Sequence, residues 1–278
     1  MQTTSQPSVS SPWYFDWQNP EHARHFDERS RLGKGALIRN YESFNDVRLL
    51  GKRLSNSPGA VSLLEVGCAT GEFSRYLGYQ FPSVDYTGID VSQSALKRAA
   101  EKYPQGRFRA ADPARTVLEN FQVAGMPGRP QWVYSKDVLH HQVEPWDFLH
   151  QLLDAAGEGV VLRTRTRERG ATVLDPNLSC QYHYDGWMPY IVINRDELVQ
   201  AIHQRHPEAE VTLIRNPMVL GGRENRFLPK ECYLPETGTA ETAVGIFLKS
   251  GHPGRVKTED RPDGAGQPAA SWLRKLWS

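Results

Sequence analysis

Three groups of residues have types and spacings that could do chemistry. The first lies in Leu64-Glu65-Val66-Gly67-Cys68-Ala69-Thr70-Gly71-Glu72-Phe73, an apolar run that enters a tight turn and leaves on a helical pattern. Gly67 and Gly71 let the backbone turn sharply and approach a ligand, and the helix that follows offers unpaired N–H groups toward it. Asp90, followed by Val91, closes the next strand about 20 residues on, where an acid can accept both hydroxyls of a ribose. The dinucleotide form of this turn, Gly-x-Gly-x-x-Gly from Gly67, needs glycine at positions 69 and 72. Ala69 and Glu72 stand there, so the pyrophosphate fingerprint fails.

The second group is His140-His141, just past the segment Ser135-Lys136-Asp137-Val138-Leu139. A histidine titrates near neutrality and suits removal of a proton from a hydroxyl nucleophile, with Asp137 or Glu144 as an orienting carboxylate. The competing reading is that both rings only pack. His183 is a further candidate base. The third group follows the fifth strand. Arg163, Arg165 and Arg167 alternate with threonines and share a strand face, so they could hold a phosphate or carboxylate, or form surface ion pairs. The stretch Cys180 to Tyr190, with Tyr182, Tyr184 and Trp187, is aromatic enough to line a flat or sugar-like ligand, and plain packing explains it as well.

These residues need a scaffold, and the hydrophobic pattern supplies one. Apolar runs at 61–66, 85–90, 107–111, 131–135, 160–162, 211–214 and 242–248 read as strands. Helical faces lie between them: Phe73, Tyr76, Leu77 and Phe81; Leu96, Ala99, Ala100 and Tyr103, capped by Ser92; and Phe148, Leu149, Leu152 and Leu153 behind Pro145. Alternation of this kind predicts an α/β fold, a mostly parallel doubly wound sheet with helices on both faces. Ligands then sit outside the carboxyl ends of the strands, which is where all three groups fall. Residues 1–12 read as disordered, 13–57 as an N-terminal helical cap whose Tyr14, Trp17, Phe26 and Tyr41 close over the ligand, 58–250 as the main domain with an insert at about 170–193, and 251–278 as a flexible tail.

Composition narrows the class. A formal charge of +1 over 278 residues is not the footprint of a dedicated nucleic-acid binder. The three cysteines are far apart, so neither a disulfide framework nor a metal knuckle is expected. No apolar stretch approaches the ~20 residues of a membrane span, and the start lacks a signal-peptide pattern, so a cytoplasmic location is expected.

The segment Glu65-Val66-Gly67-Cys68-Ala69-Thr70-Gly71 closely resembles the first motif of the class I, Rossmann-like S-adenosylmethionine-dependent methyltransferases, with Ala69 in place of the middle glycine. Ala111-Asp112 and Asp137-Val138-Leu139-His140-His141 resemble later motifs of the same family, in the family's order. The resemblance covers residues 60–165 in detail and 210–250 in strand pattern. It implies a seven-stranded sheet whose last strand is antiparallel. It also implies S-adenosylmethionine as cofactor, with S-adenosylhomocysteine as product, held by Glu65, the Gly67-Cys68-Ala69-Gly71 turn, Asp90, Val91, Asp112 and Asp137. The expected activity is methyl transfer to a small molecule, with O-methylation of a natural product or sugar first. N-methylation of an amine or peptide side chain, or a non-catalytic binding module, are the alternatives.

Overall fold

The computed structural model describes residues 17, 23–24, 32–126, 128–183, 186–223 and 225–264. The expectations for residues 1–12, for Tyr14, Phe26 and Tyr184, and for the tail beyond 264 lie outside the described residues. The helices are α1 (Lys34–Glu42), α2 (Asn45–Asn56), α3 (Glu72–Gln80), α4 (Gln93–Lys102), α5 (Val117–Val123), α6 (Pro145–Ala155) and α7 (Arg195–Arg205). The strands are β1 (Val61–Val66), β2 (Val84–Asp90), β3 (Arg107–Ala110), β4 (Trp132–Lys136), β5 (Gly159–Arg167), β6 (Cys180–His183), β7 (Gly186–Pro189), β8 (Ile193–Asn194), β9 (Glu210–Pro217), β10 (Arg226–Phe227), β11 (Ala240–Phe247) and β12 (Val256–Asp260).

The main sheet runs β12-β9-β11-β5-β4-β1-β2-β3, with β8 beside the end of β5. Its strands are parallel except β11, which is antiparallel to both β5 and β9. Burial on both faces explains the continuous apolar runs. Side chains alternate between two cores: Leu64, Val133, Val160 and Leu162 pack under α5, α6 and α7, and Leu63, Trp132, Tyr134 and Val161 pack under α1 to α4. The chain order reverses between β1 and β4, so the crevice at their carboxyl ends is the topological switch point where ligands bind.

Four features depart from the expected layout. The segment read as a tail contributes β12, parallel to β9 at the sheet edge and mostly exposed. Its Lys, Glu and Asp side chains suit an edge that must resist further pairing. Two-residue β8 extends the sheet at β5. Helix α5 was not anticipated, although Thr116 and Glu119 form a capping box at its start. The insert is a β6–β7 hairpin joined by β10, which arrives from beyond β9. Among the described residues, no helix is long and apolar enough to cross a membrane.

Candidate active site

The turn after β1 holds three residues in the left-handed region: Gly67 at φ 82°, Ala69 at 46° and Gly71 at 75°. A Cβ at Gly67 would collide with Val138, and one at Gly71 would sit 2.6 Å from the Phe108 ring. Glycine is therefore required at both positions by φ and by close approach. Ala69 tolerates its conformation at a cost of about 1–2 kcal/mol. Asp90 offsets that cost: its Oδ2 accepts the Ala69 N–H at 2.8 Å and its Oδ1 accepts the Ser92 N–H at 2.8 Å. The carboxylate thus ties the turn to the end of β2 and keeps further lone pairs for a ligand. Burial raises its pKa, against the backbone N–H donors of Ser92, Ala69 and Val91. Cys68 contributes only backbone to the cradle; its side chain packs in the core beneath α3 and α4.

Glu65 is buried, and the Tyr86 hydroxyl donates to its Oε2. Burial pushes its carboxyl up to about 8, against the Tyr86 hydrogen bond and the nearby Lys136 charge. A group raised from 4.5 contributes stability that is complete below pH 4.5 and is lost as pH rises through 8. Wild-type protein should therefore lose about 1 kcal/mol between pH 7 and pH 9 that Glu65→Gln does not lose, checked by urea denaturation at both pH values. Equal losses would mean that Glu65 ionises normally.

Asp112 stands at the end of β3, but it is exposed and used locally: its Oδ1 accepts the Ala114 N–H at 2.9 Å and Oδ2 lies 3.3 Å from Arg115 Nε. The structure shows it as a turn acid at the crevice rim.

The segment 137–141 links this cradle to the histidines, since Val138 borders Gly67 at one end. Asp137, at φ 59°, does not orient a histidine. Its Oδ1 accepts from Arg163 Nε at 3.0 Å and Arg165 Nη1 at 2.9 Å. Burial alone would raise its carboxyl; the two guanidiniums more than offset this and hold it well below the usual carboxylate range. Glu144 is exposed at the start of α6.

His140 is fully buried, its Nδ1 has no hydrogen-bond partner among the described residues, and its ring packs 4.1 Å from His141 and 5.1 Å from Tyr190. Burial, then the neighbouring His141 and Arg165, drive it well below the usual histidine range. His141 differs. Its Nδ1 lies 2.7 Å from the Pro189 carbonyl, which can only accept, so the neutral ring carries its proton on Nδ1 and presents the lone pair on Nε2. Burial lowers its pKa to about 4, with the Pro189 hydrogen bond holding it partly up and Arg165 pushing it further down. The Trp17 ring stands 6.0 Å away, edge to face. Tyr41 belongs to the core instead, stacked 5.0 Å from Tyr76.

Arg163 and Arg165 correct the expectation of a free anion site or surface pairs. Both are buried, and their charge is neutralised internally. Arg163 pairs with Asp137, Glu241 and Asp263; Arg165 pairs with Asp137 at 2.9 Å and Glu241 at 3.0 Å and donates to the Tyr190 hydroxyl at 2.9 Å. Arg167 is buried too, donating from Nε to the Arg169 carbonyl at 2.6 Å.

The aromatic pair Tyr182 and Trp187 lies on the hairpin. They face each other across the hairpin at 5.3 Å, and Trp187 meets Phe227 at 5.3 Å. By strand alternation that ladder lies on the opposite face from Gln181, Met188 and Arg226, which turn toward Tyr190. His183 closes the hairpin opposite Gly186 and is half-buried. Arg226 carries no local sequence signal. Its place depends on pairing with Gln181 across 45 residues, which no local pattern announces.

A sheet of this order with one reversed strand, a glycine cradle at its switch point and an acid closing β2 defines the class I, Rossmann-like methyltransferase fold. Residues 64–162 match the family described as methyltransferase domain. Trans-aconitate 2-methyltransferase of Variovorax paradoxus (strain S110) is 27% identical over 147 residues, 53% of this chain and 48% of that enzyme. Malonyl-(acyl-carrier protein) O-methyltransferase of Bacillus cytotoxicus (strain DSM 22905 / CIP 110041 / 391-98 / NVH 391-98) is 30% identical over 116 residues, 41% of this chain and 38% of that enzyme. The N-terminal domain of EvdMO1, crystallised in the presence of SAH and D-fucose, is 19% identical with a TM-score of 0.47 and covers 84% of each chain. The chain spans about half the length of the first of these relatives. The residues that match the methyltransferase-domain family, 64–162, lie on a sheet with the class I, Rossmann-like order.

The cradle fits the cofactor. The positive φ angles of Gly67, Ala69 and Gly71 hold the turn at the switch point, and Asp90 beside it retains acceptor capacity that suits a ribose.

Proposed function

We propose that this protein transfers a methyl group from S-adenosylmethionine to an oxygen atom of a small-molecule acceptor. The observation that carries the reading is His141, whose Pro189 hydrogen bond leaves Nε2 as the accepting atom beside the crevice. The cofactor supplies an electrophilic methyl on a sulfonium. The chain's task is to align an oxygen with it, keep water out and receive the proton. Bound at the cradle, the cofactor would give its methyl to the acceptor oxygen and be left as a neutral thioether; for a hydroxyl acceptor, His141 Nε2 would receive the hydroxyl proton. A carboxylate acceptor needs no base, and His141 then only orients it. Natural-product or sugar hydroxyls remain candidates. The names of the trans-aconitate and malonyl-(acyl-carrier protein) relatives add carboxylate-bearing acceptors.

N-methylation is less well supported. Amine acceptors arrive as ammonium ions, and the Arg226 guanidinium acts on His141 without an ion-pair partner among the described residues. The test is S-adenosylhomocysteine formation with matched panels of phenols, sugars, carboxylic acids and amines. Turnover confined to oxygen acceptors supports the reading. Turnover confined to amines overturns it, and none with any acceptor despite cofactor binding favours a non-catalytic module.

A further inference from the structure

We propose that Arg226 anchors a carboxylate of the methyl acceptor, placing a second oxygen of the same molecule before His141. This rests on the methyltransferase reading above. Arg226 sits on β10 opposite Gln181, on the inner face of the small sheet. Its Nε donates to Gln181 Oε1 at 3.3 Å and its Nη1 to the Leu220 carbonyl at 3.3 Å. The guanidinium carbon lies 4.4 Å from the centre of the Tyr190 ring. Among the described residues, no carboxylate lies within ion-pair distance of it. Arg165, which donates to the Tyr190 hydroxyl, is by contrast held by Asp137 and Glu241.

The same ring meets His141 at 5.9 Å. Tyr190 therefore neighbours an ion-paired arginine, an arginine without an ion pair and the candidate base. Its hydroxyl accepts from Arg165 Nε and so keeps its own hydrogen to donate. A half-buried guanidinium with only neutral, long hydrogen bonds is incompletely satisfied, and a planar carboxylate meets its fork geometry. Arginine suits this place better than lysine because it can lie over the ring and still present a bidentate edge. The acceptor class that follows is a hydroxy acid or polycarboxylate, with one anionic group on Arg226 and the reacting oxygen at His141.

The test titrates wild-type protein, Arg226→Gln and Arg226→Lys, each with and without S-adenosylhomocysteine. The ligands are two matched pairs, 4-hydroxybenzoate against 4-hydroxybenzamide and succinate against succinamide. The wild type should prefer at least one acid over its amide by about 10-fold or more. Arg226→Gln should abolish that preference and Arg226→Lys retain part of it. S-adenosylhomocysteine affinity unchanged within about twofold would show that the variants are folded. Acids that bind no better than their amides, undetectable acid binding at millimolar concentration, or a preference that survives Arg226→Gln would each overturn the proposal. Cofactor titration separates the two readings. An acid preference through Arg226 in a protein that ignores S-adenosylmethionine overturns the methyltransferase reading alone, and cofactor binding without acid preference overturns the anchor alone.

Discussion

Asp90→Ala should weaken S-adenosylmethionine binding by about 100-fold or more, because two hydrogen bonds to a charged acceptor, each worth about 1.5–3 kcal/mol, are lost. A second loss adds to the first. The carboxylate holds the Ala69 and Ser92 N–H groups at 2.8 Å, and Ala69 stays in a disfavoured conformation with that help. Without it the N–H groups lose their partner and the turn relaxes, so unfolding free energy should also fall by about 1–3 kcal/mol. Asp90→Asn keeps one acceptor oxygen but turns an N–H₂ toward a donor, so its affinity should fall between the other two. Calorimetry for affinity and urea denaturation for stability check both arms. Unchanged affinity in Asp90→Ala would remove Asp90 from the cofactor site, whatever happens to stability.

With a hydroxyl acceptor, His141→Gln should lower kcat by about 10²–10⁴-fold while cofactor affinity stays within about twofold. Its pH behaviour is distinctive. A base with a pKa near 4 is already neutral at pH 6, so kcat/KM should be flat from pH 6 to 8 and fall only toward pH 4. A limb near pH 6.5 would mean that the base is another group or that His141 is more exposed than the fold indicates. Stability follows the same shift. The imidazole is depressed from 6.5 to about 4, so its contribution is complete above pH 6.5 and is lost as pH falls through 4, up to about 3 kcal/mol. His141→Gln should lack that acid-sensitive component. A variant that keeps full turnover with a hydroxyl acceptor would take His141 out of the mechanism.

The parts of the fold visible in the sequence are those built from contiguous residues. The β1–turn–α3 unit, Asp90 at the end of β2 and the His-His segment past β4 are each set by local order, so reading them needed no partner strand. Arg163, Arg165 and Arg167 did share a strand face as expected. Their burial was not legible, because it depends on Glu241 and Asp263 arriving from β11 and the segment after β12. The same limit hid β12, whose charged edge-strand composition is also that of a tail, and hid the face assignment of Tyr182 and Trp187, which needs the hairpin register. Arg226 is the clearest case. An arginine three residues after Arg223, in a segment without strand or helix periodicity, carries no signal until β10 pairs with β6. Helix α5 was readable, since Thr116 and Glu119 have capping-box spacing.

The measurement closest to the central claim is a calorimetric titration of the full chain with S-adenosylmethionine and, separately, with NAD. Saturable binding of S-adenosylmethionine and none of NAD is expected, because Ala69 and Glu72 replace two glycines of the pyrophosphate turn while Asp90 and the cradle remain. Binding of NAD, or a folded chain that binds no S-adenosylmethionine, would contradict it.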